Sequence, residues 1–426
     1  MQAKALRHFP SGGQALPVDA APWAPHPRTN AFLFQDAWWM LFCIFLMCEG
    51  IPVVSTLRLV SLTAGVGLVL MAAQITQRDA LHLVLFALLN ASILLSVIAG
   101  GRLEIVIFAC ARVYVICPYV YLYLTHRGLG RPTAVALALG MLPQLFVYLT
   151  EITFSTFSAY AGWMHQFCGI SGDPNYVCTY LVVALGAQLA LIRCSRSIPL
   201  CVPWILAAAT TLFLVTITLS RAGTAAVFLA LLIFGLSFRV RHPLVRLAVV
   251  VFMIYAFFAT AQHVAEEFFP DASVGALYRR FSTEGKTSIL ENERYNVWKS
   301  AFDQAIAKGP IDYVDESMFR AQEGTFVHNV LLRLALTYGW LTALVHVVIW
   351  GAGLAALSLS FYRELFSKKR QQLQTLSSPS SVFLILLPYF LVVMTIPALD
   401  QNLYWYEFGM VFTLGLFKPC IPQEQV

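Results

Sequence analysis

Apolar segments of 15–20 residues, separated by short polar breaks, recur from residue 38 to residue 417. A run of that length approaches what a helix needs to cross ~30 Å of hydrocarbon. So many of them leave no room for an ordinary water-soluble core. Composition agrees, with 59% hydrophobic and 12% charged residues, a balance typical of chains that cross a bilayer many times. The expected fold class is an all-α integral membrane protein of about 12 transmembrane helices. Its spans fall near 38–54, 57–74, 81–98, 104–123, 133–150, 178–193, 202–219, 224–238, 245–262, 336–360, 382–398 and 404–417. The net charge of +6 does not signal nucleic acid, because the basic residues follow topology.

Basic residues concentrate in loops that stay on the cytoplasmic side. With the N-terminus inside, the inner segments hold Arg78, Arg127, Arg131, Arg193, Arg239, Arg241, Arg363 and the Lys368-Lys369-Arg370 run. The short outer connections hold little more than Arg58, Arg102 and Arg221. Both termini are then cytoplasmic. The chain divides into a disordered tail over 1–30, nine helices over 31–262, an outer loop over 263–335, three helices over 336–417 and a short tail over 418–426. Only the segments near 151–177 and 263–335 are long enough outside the membrane to carry function.

The larger loop has seven basic and eleven acidic residues over 263–327. Within it, Ser288-Ile-Leu-Glu291 reads as a capping box, and Arg294 to Ile306 places apolar groups at helical spacing. Lys308-Gly309-Pro310 supplies a stop. An amphipathic helix is expected, either lying on the membrane surface or packed on its own loop, with Trp298 and Phe302 on one face that would serve either. Most of the nine cysteines lie inside apolar segments and act as small hydrophobes. Only Cys168 and Cys178 both approach the outer side, where a disulfide is one option. No spacing suits a metal, and no cofactor is called for.

Several polar groups reach the outer face by topology alone. Ser220-Arg221-Ala222-Gly223 sits in a tight turn, so Arg221 is held at the boundary, where its fork suits phosphate oxygens or lipid headgroups. Arg294 opens the loop helix, with Arg279 and Arg280 upstream. His328-Asn329 and Arg333 stand where the loop meets the next span, ahead of Tyr338-Gly339-Trp340. Asp173-Pro174-Asn175-Tyr176 faces the same space. Each has a bland alternative as a helix end or a solvated charge. Arg112 lies mid-span, where a charge is costly and usually paired or functional; His346 reads as a packed, hydrogen-bonded histidine. A cluster of arginines with one histidine suits transfer from a lipid-linked pyrophosphate: the arginines stabilise the leaving group, and the histidine deprotonates a sugar hydroxyl.

Ser220-Arg221-x-Gly223 after a span, Arg294-x-x-x-Trp298 in a large outer loop, and His328-Asn329 with Tyr338-Gly339-Trp340 together resemble the bacterial O-antigen ligase and O-antigen polymerase family. Gly172-Asp-Pro-Asn175-Tyr resembles a segment of the polysaccharide polymerases in that group. The resemblance covers about 165–345. It implies a multi-pass protein of the bacterial inner membrane whose periplasmic active site performs a metal-independent, inverting glycosyl transfer. The implied partners are an undecaprenyl-pyrophosphate-linked oligosaccharide donor, a sugar acceptor and the phospholipid bilayer. The acceptor is a lipid-linked repeat unit for a polymerase and lipid A–core for a ligase. By motif match it further implies His328 as the base and Arg221 and Arg294 as pyrophosphate ligands. Placement alone adds Arg279 and Arg280 to the pyrophosphate set and Asn329, Arg333, Asn175 and Arg112 as supporting candidates, Arg112 without an assigned role. The Asp-Pro-Asn-Tyr segment favours a polymerase over a ligase. One departure stands out: family loops often carry Pro-x-x-Gly-x-Gly before the histidine, where this chain has Gly309-Pro310-Ile-Asp-Tyr-Val. The alternative of another class is a 12-helix secondary transporter, which would gather ionisable residues at the midplane.

Overall fold

A computed structural model describes residues 30–56, 58–100, 103–150, 157–160, 164–195, 197–237, 293–312, 327–366, 375–396 and 398–417, with Phe319 and scattered positions between 244 and 259. The described chain is predominantly helical. Six stretches are long and apolar enough to cross a membrane: Gln77–Ala99, Val106–Arg127, Arg131–Thr150, Pro174–Cys194, Ile198–Ile217 and Trp340–Phe366. Four shorter apolar helices accompany them, at Leu33–Met47, Leu59–Gln74, Arg221–Leu236 and Pro379–Val393. Helices suit such sequences because every backbone N–H and C=O finds its partner within the segment, away from water. The span expected over 245–262 lies largely outside the described residues.

In chain order the helices begin with α1 (Asn30–Met47), α2 (Pro52–Thr56), α3 (Leu59–Met71), α4 (Gln77–Leu89) and α5 (Ala91–Ala99). Then come α6 (Leu103–Ala111), α7 (Cys117–Arg127), α8 (Arg131–Ala138) and α9 (Leu142–Thr150). An antiparallel ribbon of β1 (Phe157–Tyr160) and β2 (Met164–Phe167) precedes α10 (Pro174–Cys194), α11 (Ile198–Ile217) and α12 (Arg221–Leu236). The remainder are α13 (Glu293–Lys308), α14 (Val330–Tyr338), α15 (Trp340–Phe366), α16 (Pro379–Val393) and α17 (Asn402–Met410).

The organising element is α10. It packs against α8, α11, α12 and α16, and nearly every residue from Val177 to Leu191 is buried. A helix apolar all round belongs at the centre of such a bundle. Small residues let its neighbours approach closely: a Cβ on Gly186 would stand 2.4 Å from the Leu384 carbonyl oxygen of α16. At one end, Arg193 of α10 donates to Glu364 of α15 at 2.5 Å and to Ser378 and Ser381 at 2.9 and 3.0 Å. The Ser380 N–H and hydroxyl also donate to that carboxylate. This pair, expected only as a loop charge at Arg193, is buried and multiply bonded, which is the condition under which an ion pair survives without water.

Two sequence expectations are corrected in detail. The first span ends at Met47, leaving Glu49 in a turn. The segment after His328 does not run straight into a long helix: α14 ends at Gly339, whose φ is +91°, and α15 starts afresh at Trp340. That break is held by the loop, since Leu341 N donates to Pro310 O at 3.2 Å and a Cβ on Gly339 would meet the same oxygen at 2.3 Å. The loop helix stops at Lys308 as the Gly-Pro signal predicts, and α13 packs on α14. Ala301 and Ala305 are buried and Val297 and Trp298 half-buried, while Phe302 is 55% exposed. The expected capping box at Ser288–Glu291 lies outside the described residues.

Candidate functional site

The polar site begins at the start of α10. Asp173 caps the helix, its Oδ1 accepting from the N–H groups of Asn175 and Tyr176 at 2.7 and 3.2 Å. Two orphan N–H groups of the first turn are thereby satisfied, and Asn175 is left facing the α11–α12 turn. That turn is tight: Leu219 adopts φ +51°, a conformation costly for a branched residue. Ser220 then caps α12, with Oγ accepting from Gly223 N at 3.1 Å and donating to Asn175 Oδ1 at 2.8 Å. Two motifs 45 residues apart thus share one hydrogen bond, and Arg221 is held beside it, half-buried. Gly223 is explained by packing, because a Cβ there would stand 2.5 Å from Cys178 Sγ. Cys178 and Cys168 are both buried and no disulfide joins them, and the Cys178 thiol lies 3.1 Å from Thr218 Oγ1. The disulfide option is therefore not taken.

A second polar group lies at the start of α14. Asn329 caps it, accepting from Leu331 N and Leu332 N at 3.0 and 3.1 Å, and its Nδ2 donates to Met394 O at 3.1 Å. Asn329 therefore ties the histidine segment to the end of α16. His328, one residue earlier, is half-buried. One turn into α14, Arg333 Nη2 donates to Asp400 Oδ2 at 2.6 Å.

Asp400 receives a second arginine. Arg112 opens a π-helical turn, Arg112–Ile116, that interrupts the α6–α7 span. Its Nη2 donates to the Asp400 carbonyl oxygen at 2.6 Å, its Nε to Asn402 Oδ1 at 3.4 Å, and its Nη1 lies 3.8 Å from Asp400 Oδ1. The charge that looked costly mid-span is thus supplied with acceptors by the 398–402 turn. The same turn reaches α10, where Thr179 Oγ1 lies 3.3 Å from Gln401 Oε1. It also reaches the end of α1, where both Glu49 oxygens accept from Asn402 N at 2.8 and 3.0 Å. Tyr180 OH donates to Glu49 at 3.4 Å. Burial pushes the Glu49 carboxyl up to about 7, against the downward pull of the Asn402 N–H and the Arg112 charge.

Arg333 and Arg112 are therefore joined through the 398–402 turn, which reaches α10 at Thr179, one turn beyond Asn175, while Asn329 is tied to Met394 just ahead of that turn. Arg294 lies in the first turn of α13, on the element packed against α14; its side chain lies outside the described residues, as do Arg279 and Arg280. Among the described residues, no three His, Cys, Asp or Glu side chains gather as a metal site. Asp400, Gln401, Asn402 and Glu49 were not anticipated from sequence. The available signal was a carboxylate in each of two otherwise uncharged breaks, Cys48-Glu49-Gly50 and Leu399-Asp400-Gln401, on the same face as a mid-span arginine without a partner. No family model matches the chain, and no curated protein matches it.

Proposed function

We propose that this protein is a membrane glycosyltransferase that moves a glycan from undecaprenyl-pyrophosphate to a sugar hydroxyl during surface-polysaccharide assembly, as a polymerase of repeat units. Transfer to lipid A–core, the ligase reaction, is the close alternative. The observation that carries the proposal is the gathering of separate polar motifs at one end of the bundle, through the Asn175–Ser220 bond and the two arginines at Asp400. A lipid-anchored phosphate meets protein at this kind of boundary, and guanidinium forks suit its oxygens. In this reading the chain spans the bacterial inner membrane twelve times with both termini inside, and this end faces the periplasm.

The reaction is a displacement with inversion. His328 takes the proton of the acceptor hydroxyl, and that oxygen forms a bond to the anomeric carbon. The bond from that carbon to the pyrophosphate oxygen breaks, with its electron pair leaving on phosphate. Arg221 and Arg294, with Arg279 and Arg280, stabilise the charge that develops there. No metal is assigned a role. The test is a lipopolysaccharide gel of the host carrying His328→Ala at wild-type protein level. Collapse of the ladder to core plus one repeat supports a polymerase. Loss of all polymer from core while lipid-linked polymer accumulates supports a ligase. An unchanged ladder, with a deletion strain that does lose it, removes His328 as the base.

One observation favours the secondary transporter instead. Glu407 of α17 is fully buried, and neither of its carboxylate oxygens has a hydrogen-bond partner among the described residues. Intramembrane carboxyls of this kind serve ion coupling. A transporter would lose function in Glu407→Gln and keep it in His328→Ala, the reverse of the pattern expected of the transferase.

A further inference from the structure

Two guanidiniums from distant parts of the chain converge on one side chain. Arg333 approaches one oxygen of Asp400 and Arg112 faces the other, at 2.6 and 3.8 Å. The arginine side chains are 12% and 18% exposed, whereas the carboxylate is 66% exposed. The arginines are thus the enclosed partners and the carboxylate is the one open to water. Arg112 is also held without the carboxylate, by the Asp400 main-chain oxygen and Asn402 Oδ1. If the Asp400 side chain rotates into water, that hold survives.

We propose that Arg112 and Arg333 form an anion subsite for a phosphate group, and that Asp400 occupies it as an internal substitute until the phosphate displaces it. A phosphate offers two or more oxygens to two separate forks, as the carboxylate does, and carries more charge. An exposed carboxylate pairs weakly because water screens it, while arginine–phosphate contacts are charge-assisted and geometrically matched. Arg333 lies on the helix that His328 leads into, so the subsite sets a phosphate beside the polar end already described. It rests on the proposed function only in taking the lipid-linked pyrophosphate as one source of that phosphate; a free phosphate in the surrounding water is the other. Asp400 would then act as a latch that keeps the arginines paired when no donor is bound.

The test is calorimetric titration of the purified full chain in detergent with inorganic pyrophosphate. Asp400→Asn removes the competing charge while keeping shape, and is expected to bind roughly tenfold more tightly than wild type, a change of ~1.4 kcal/mol. Arg112→Gln and Arg333→Gln are each expected to weaken binding by at least as much. Asp400→Ser takes the place of the Asn variant if that one fails to fold. A purely structural clamp predicts the opposite: Asp400→Asn lowers the unfolding midpoint and gains no affinity. Equal or weaker pyrophosphate binding by the Asp400 variants, or wild-type binding by either arginine variant, overturns the subsite. Nanodiscs of phosphatidylcholine with and without polyprenyl pyrophosphate separate the sources. Suppression of the pyrophosphate heat by the lipid supports the subsite as a lipid-phosphate site, and persistence of that heat supports it as a site for the free anion. Neither readout needs turnover, so a failed transferase leaves the subsite standing, and a failed subsite leaves the His328 result intact.

Discussion

Gly223→Ala tests whether the glycine of the Ser-Arg-x-Gly element serves packing. The added Cβ would lie 2.5 Å from Cys178 Sγ and 3.1 Å from Cys178 Cβ, against ~3.5–4.0 Å for comfortable carbon contacts. About 1 Å must be found. Cys178 is fully buried in α10, and its thiol is engaged with Thr218 Oγ1, so neither helix yields easily. Overpacking of this kind costs ~1–3 kcal/mol. The gain in helix propensity from glycine to alanine returns ~0.5–1 kcal/mol at most. The net expectation is a loss of about 1–2 kcal/mol, read by SDS-titration unfolding of the purified protein. Cys178→Ala removes the obstructing sulfur, so the double variant should recover most of that loss relative to Cys178→Ala alone. If Gly223→Ala is no less stable than wild type, or if the two substitutions add within ~0.5 kcal/mol, the packing account is wrong and Gly223 must be explained by chemistry at Arg221.

Two further outcomes follow from carboxylates. Glu49 has its carboxyl raised from an ordinary value of 4.5 to about 7, so the unfolded chain gives up this proton at lower pH than the folded one. Stability from this group is full below about 4.5 and falls as pH rises to about 7; Glu49→Gln should flatten the thermal midpoint across that window, and an unchanged slope would assign the pH dependence elsewhere. Glu364→Ala strands the buried Arg193 guanidinium with only serine partners, a loss on the order of 3–5 kcal/mol. Its unfolding in detergent should shift accordingly, and a loss under ~1 kcal/mol would mean that water reaches the pair.

What sequence determined by itself was whatever depends on neighbours along the chain. Helical apolar runs, the stop at Lys308-Gly309-Pro310, and the caps at Asp173, Ser220 and Asn329 are local, set by transfer of side chains from water and by orphan N–H groups at helix ends. That Asn175 and Ser220 share one end followed from counting spans. Which groups pair did not. Arg112 meets Asp400 across 288 residues, and Glu49 meets Asn402 across 353; no periodicity encodes which helix ends become neighbours. The break at Gly339 is likewise decided by Pro310 lying against it, and the packing face of α13 by the room that α14 leaves for Ala301 and Ala305. Charges and close contacts are settled by distances between elements, and those exist only once the bundle is assembled.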